Sequence, residues 1–189
     1  MKSLALNILD IVQNSIRARA NEITIRITES SEEDIYTIEI RDNGSGIPDG
    51  IIDNVTDPFV TTRTTRKIGM GLPLLRHHAE LTGGSLKIKS KEGMGTEIKA
   101  TFSFRHLDRQ PLGDITGVLK IIIAANPGID FIYNHLTDKG EYSFSTRETK
   151  EYLETDSLYE NSLLDDIAGM IGENLKGIGA TGFDYRGNV

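Results

Sequence analysis

The chain has no cysteine among its 189 residues, which excludes disulfides, thiolate nucleophiles and cysteine-based metal sites. It also lacks an excess of positive charge: 21 Lys and Arg stand against 28 Asp and Glu, for a net charge of -7. Phosphate backbones repel such a surface unless a basic patch is segregated, so no nucleic-acid partner is expected. Long apolar runs are missing too. The longest, Val118 to Ala125, is interrupted by Lys120, and falls short of the roughly 20 apolar residues that cross a bilayer. Asp10, Asn14 and two arginines break up the apolar character of residues 1–20, which removes the pattern of a signal peptide. No repeat or low-complexity block is present. These absences lead to the expectation of a soluble, cytoplasmic protein with no membrane partner, long enough for one full core or for one domain plus a smaller appendage.

What is present falls into alternating elements. Leu4, Ile8, Ile11, Val12, Ser15 and Ile16 recur at helical spacing, which predicts an amphipathic helix over 3–19. Asp10, Asn14 and Arg17 then share a neighbouring stripe, at offsets of four and three. Ile23, Ile25 and Ile27 alternate with polar residues, as do Ile35 to Ile40, so two strands joined by the polar link Ser30 to Asp34 are expected. A short helix over 49–54 follows, and then Thr61 to Lys67, a stretch without aliphatic residues that has the composition of a flap. A second helix runs from Gly71 to Thr82, closed by Gly83-Gly84. Strands are expected near 85–90 and 96–104. The order predicts helices layered on one face of a largely antiparallel sheet.

Between these elements lie the residues that carry chemistry. Asp42-Asn43-Gly44-Ser45-Gly46 follows a strand, and Gly69-Met70-Gly71-Leu72 opens a helix. A carboxylate after a strand can accept an adenine amino proton, and glycines beside it let a base lie against bare backbone. A glycine pair at a helix start offers free N–H groups and a dipole to phosphate. Asn14, on the upstream helix, presents an amide oxygen of the kind magnesium accepts. Together these residues point to ATP and Mg2+ as the ligands.

The order of motifs resembles the GHKL superfamily, which comprises gyrase-type topoisomerases, heat-shock chaperone ATPases, histidine kinases and MutL mismatch-repair proteins. Leu9 to Ala18 resembles the asparagine box, Asp42 to Gly46 the aspartate-glycine box, and Asp57-Pro58-Phe59-Val60-Thr61-Thr62-Arg63 the phenylalanine box of histidine kinases. Gly69 to Leu72 resembles the second glycine box, and Gly95-Thr96 the last motif. The resemblance covers roughly residues 1–105. It implies an α+β fold, the two-layer α/β sandwich of the histidine kinase-like ATPase (Bergerat) type, in stand-alone form and with a small C-terminal α/β extension.

By this resemblance Asn14 would bind magnesium, Asp42 the adenine amino group with Gly44 and Gly46 beside it, and Arg17 a phosphate. Gly69, Gly71 and Leu72 would hold the phosphate tail through backbone N–H groups, and Thr96 would support Asp42 or a water on the base. Arg63, Arg66 and Lys67 are candidates to neutralise the transferring phosphoryl group. Asp10 stands where hydrolysing and serine-phosphorylating members carry glutamate as general base, and is one methylene shorter. That departure bears on hydrolysis rather than on binding. His77 and His78 lie downstream of the nucleotide motifs and are expected to be surface or satisfied histidines.

A polar stretch from Arg105 to Pro111 marks a boundary, giving a nucleotide domain over 1–105 and an extension over 106–189 that packs against it or presents a partner surface. The extension should contain a helix near 114–125, a hairpin near 130–144, a C-terminal helix near 158–175 and a loose glycine-containing tail. Two functions are compatible with these features. One is a magnesium-dependent enzyme that hydrolyses ATP or phosphorylates an unidentified partner protein, with Asp10 as base. The other is a module that binds ATP without turning it over and thereby regulates a partner protein.

Overall fold

The computed structural model describes residues 3–48, 71–158 and 160–184. The expected short helix over 49–54 and the flap lie outside these residues.

Leu4, Ala5, Ile8, Ile11, Val12 and Ser15 form the buried stripe of the first helix, α1 (Leu4–Arg17). Ser3 at its N-cap makes no side-chain capping bond. Backbone carbonyls serve instead: the amides of Leu4 and Ala5 donate to Pro111 and Leu112 at 3.0 and 2.8 Å. The helix stops where Arg19 takes a φ of 59°, and the Ala20 amide reaches back to the Ser15 carbonyl.

Strands β1 (Glu22–Ser30) and β2 (Ile35–Asp42) pair antiparallel. After α2 (Gly71–Leu81) come β3 (Ser85–Lys91) and β4 (Gly95–Ser103), and β4 lies against β2. The chain continues through α3 (Ile115–Ala125), β5 (Asp130–Thr137), β6 (Gly140–Ser145), α4 (Thr146–Tyr152) and α5 (Asn161–Gly177). The six strands form one sheet in the order β3-β4-β2-β1-β5-β6. Every pairing is antiparallel except β1 with β5. The C-terminal segment therefore extends the sheet of the N-terminal half, with β5 covering the free edge of β1.

Side-chain alternation gives this sheet two unlike faces. Register aligns Ile88, Ile98, Ile40, Ile25, Tyr133 and Phe144 in one inward row across all six strands. These join a single core with Ile8 and Ile11 of α1, Leu75 of α2, Leu119 of α3 and Ile171 of α5. Each such aliphatic side chain, taken fully out of water, contributes about 1.5–3 kcal/mol. The opposite face is polar, with Lys89–Glu97 and Lys99–Glu39 contacts at 3.1 and 3.5 Å. The fold is the two-layer α+β sandwich that the motif order implied. At one end of the inward face the row turns polar, with Ser90, Thr96 and Asp42 beside Ile23.

The glycine-containing tail departs from expectation. Far from hanging loose, residues 178–184 are bonded to the body: the Thr181 amide and hydroxyl donate to Glu29, and Gly113 exchanges backbone bonds with Gly182 and Asp184. Gly179 and Gly182, at φ of 70° and 67°, make the turns that bring the tail down onto these groups.

Candidate nucleotide site

Asp42, the last residue of β2, is 7 % exposed and faces the helix layer. Its Oδ2 accepts a hydrogen bond from the Ser15 hydroxyl at 2.6 Å, and its Oδ1 accepts from the Gly44 amide at 2.9 Å. Each carboxylate oxygen keeps a further lone pair, so the group stays an oriented acceptor with room for another donor. Thr96 stands opposite Asp42 in the β2–β4 register. Its hydroxyl lies 2.9 Å from that of Ser90, which donates to the Gly95 carbonyl and accepts from the Ile47 amide.

The loop after Asp42 is stapled on both sides. Asn43 Oδ1 accepts from the amides of Asn21 and Glu22 at 3.0 and 3.1 Å, and the Ser45 amide donates to the Ala18 carbonyl at 2.8 Å. The β3–β4 turn presses against the loop. At Gly46, with φ of 68°, a Cβ would lie 2.1 Å from the Lys91 carbonyl oxygen; at Gly95, with φ of 95°, one would lie 2.0 Å from the Asp42 carbonyl oxygen. Only glycine fits at these two crossings.

The residues of α1 form the other wall. Asn14 Oδ1 accepts from Arg17 Nη1 at 3.0 Å, so the two side chains share one edge of the helix. Asp10 lies one turn earlier and meets the start of α2: a Cβ on Gly71 would sit 3.3 Å from Asp10 Oδ2. Leu72 is half-buried and packs against the core. Asp10 and Gly71 are thus neighbours, as are Asp42, Gly44 and Thr96, while Gly46 is tied to the β3–β4 turn. Gly69, Arg63, Arg66, Lys67 and Phe59 lie outside the described residues.

Sequence reasoning assigned Ser15 only to the apolar stripe of α1 and overlooked it as the partner of Asp42. The available signal was a hydroxyl at a position that packing buries, 3 % exposed, which needs a partner. Asn43 and Ser90, which brace the loop, were also missed. His77 is exposed, as expected, whereas His78 is half-buried and only half satisfied, with its Nε2 3.5 Å from Gln110 Nε2. The Nδ1 of His78 is buried without a hydrogen-bond partner, and burial, helped by the neighbouring His77, holds its pKa below the ordinary 6.5.

A buried, doubly held carboxylate thus ends a strand, flanked by glycines and facing a helix that carries an amide and a second carboxylate. The family model for histidine kinase-, DNA gyrase B- and HSP90-like ATPases matches residues 2–106, more than half of the chain. The chain belongs to this family and carries a GHKL-type ATP-binding domain. It is 30 % identical over 128 residues to the CAI-1 autoinducer sensor kinase/phosphatase CqsS of Vibrio cholerae, covering 65 % of this chain and 18 % of that protein. It is 35 % identical over 98 residues to the sensor histidine kinase YclK of Bacillus subtilis, covering 48 % of this chain and 20 % of that one. The chain thus spans about a fifth of the length of these curated relatives. Among solved structures, the N-terminal domain of a DNA repair protein superposes with a TM-score of 0.55 at 21 % identity, covering 77 % of this chain and 53 % of that one, a likeness of fold. No helix among the described residues is long and apolar enough to cross a membrane.

Proposed function

We propose that the chain binds ATP with magnesium in the cleft between α1, the Asp42 loop and the start of α2, and either hydrolyses it or transfers its terminal phosphoryl group to a partner protein. The observation that carries this reading is Asp42, buried and held by Ser15 and Gly44 with acceptor capacity to spare. Its carboxylate accepts a hydrogen bond from the adenine amino group, and Thr96 supports it or an intervening water. Arg17 meets a phosphate, Gly69, Gly71 and Leu72 offer backbone N–H groups, and Arg63 and Lys67 add positive charge.

The amide oxygen of Asn14 is a hard oxygen donor that suits magnesium, an ion that keeps several waters and is held largely by the nucleotide's own phosphates. When bound, it would neutralise phosphate charge. Asp10 accepts the proton of the attacking water or hydroxyl. We read residues 1–105 as the nucleotide domain and residues 106–189 as an extension that packs against it or presents a partner surface, in a cytoplasmic protein.

A second reading is favoured by one observation, the aspartate at position 10 in place of the longer glutamate of hydrolysing relatives. In that reading ATP is a ligand that alters a partner surface without being consumed. Phosphate release from labelled ATP, with magnesium and with or without candidate partners, separates the two. Turnover in wild type that is lost in Asp10→Asn, with ATP still raising the melting temperature of both, supports the enzyme. Stabilisation by ATP without turnover supports the module. A melting temperature unmoved by a millimolar non-hydrolysable analogue overturns both.

A further inference from the structure

At the opposite end of the inward face from Asp42, a second polar group is buried. Glu29 of β1 is 3 % exposed, and His135 of β5 is 1 % exposed. Glu29 Oε1 lies 2.9 Å from His135 Nε2, and His135 Nδ1 lies 2.7 Å from the Tyr133 hydroxyl. Among the described residues, the other donors to Glu29 come from the tail. The Thr181 amide is 3.0 and 3.1 Å from its two oxygens, and the Thr181 hydroxyl donates to Oε2 at 2.6 Å. A carboxyl group buried this deeply is costly unless its oxygens are paired, so an undocked tail leaves Glu29 under-satisfied.

From Thr181 the contacts continue toward the nucleotide helix. The Gly113 amide donates to the Gly182 carbonyl at 2.8 Å, and the Asp184 amide donates back to Gly113 at 3.1 Å. Phe183 and Gly113 form a parallel bridge. The two residues before Gly113 are Pro111 and Leu112, whose carbonyls receive the first amides of α1 in place of a side-chain cap. Helix α1 carries Asp10, Asn14, Ser15 and Arg17. Tail, connector and nucleotide helix are therefore joined by hydrogen bonds separated by only one or two peptide links.

We propose that Glu29 is a positioning residue for the nucleotide site: by holding Thr181 it docks residues 178–184 on the connector and so sets the seat of α1, which couples tail docking to nucleotide affinity. The inference rests on the ATP-site reading above. Linkage makes it reciprocal, since bound nucleotide must favour the docked tail by the same factor by which the docked tail favours nucleotide.

The test uses the full chain with magnesium and a non-hydrolysable ATP analogue. Affinity is measured by calorimetry, and amide hydrogen exchange is followed over residues 178–184 and 3–8. Thr181→Val, which keeps the shape and loses the hydroxyl, should speed tail exchange and weaken the analogue by about fivefold or more, while Thr181→Ser restores both. In wild type, which needs no substitution, the analogue should slow tail exchange. A Thr181→Val tail that exchanges faster while the analogue binds with wild-type affinity overturns the coupling, and so does wild-type tail exchange that is indifferent to bound analogue. If wild type binds no analogue while its tail stays protected, it is the ATP-site reading that fails, and the coupling falls with it.

Discussion

The hydroxyl of Ser15 donates to Oδ2 of Asp42 across 2.6 Å, tying the middle of the helix layer to the end of a strand 27 residues away. The same hydroxyl lies 3.5 Å from the Ile11 carbonyl, so its principal bond is to the carboxylate. The bond fixes the rotation of the Asp42 side chain, which in the role proposed for it would lower the ordering cost of binding.

Ser15→Ala should therefore weaken nucleotide while leaving the fold intact. The ordering cost of a side chain left free to rotate is about 0.5–1.5 kcal/mol, or roughly two- to tenfold in affinity. Asp42→Asn, which presents an N–H where an acceptor is required, should cost more. Isothermal titration with a non-hydrolysable analogue measures both, and equal affinities for wild type and Ser15→Ala would count against the role given to this bond.

Gly95→Ala should be among the most damaging single changes in the N-terminal half. Its backbone φ of 95° disfavours any side chain, and the added Cβ would overlap the Asp42 carbonyl oxygen, 2.0 Å away. Relief requires β2 and β4 to separate at the binding row. A loss on the order of 3 kcal/mol is expected, read as a lower urea midpoint at unchanged slope.

Asn43→Ala removes the acceptor shared by the Asn21 and Glu22 amides. Water can replace it, because these groups are exposed, so the stability loss should stay near 1 kcal/mol. Faster hydrogen exchange at Gly44 and Ser45 and a modest fall in nucleotide affinity are the expected signs that the loop has loosened.

Acid should open two turns at the far end of the sheet. Asp34 is held below its usual 3.8 by the Arg105 amide and then the Ser103 hydroxyl, and Asp138 by the hydroxyl and then the amide of Ser31. Both carboxyls are depressed in the folded state, so the folded chain binds fewer protons than the unfolded one. Their contribution is present above the unfolded value and is lost as pH falls through the folded values. Urea midpoints should therefore drop below about pH 4. The double variant Asp34→Asn, Asp138→Asn should show a flatter acid limb, and an unchanged limb would contradict the assignment.

Local pattern was legible in the sequence to the extent that local forces set it. Alternation of Ile23, Ile25 and Ile27 gave β1, and the apolar run beyond Asp114 gave α3, capped by the Asp114 carboxylate on the Gly117 amide. The Asp42 loop was visible through its glycines. Partners distant in sequence were not. The period-2 pattern of residues 130–137 announces a strand but carries no mark of the edge it joins, so its parallel seat on β1 could not be read. Ser15 lay on a stripe of aliphatic neighbours, and its polar partner became apparent only once β2 was in place. The tail glycines suggested looseness because a turn and a flexible linker draw on the same residue type.

Glu22 of β1 stands against Asp130 of β5, so residues about a hundred positions apart must meet before that margin of the sheet is sheltered. A polypeptide cut where the family match ends, at residue 106, would leave β1 as a naked border whose Glu29 has lost His135 and Thr181. Such a fragment invites strand-to-strand adhesion between copies, and clumping in its preparations would reflect the missing cover rather than any property of the Asp42 end of the sheet.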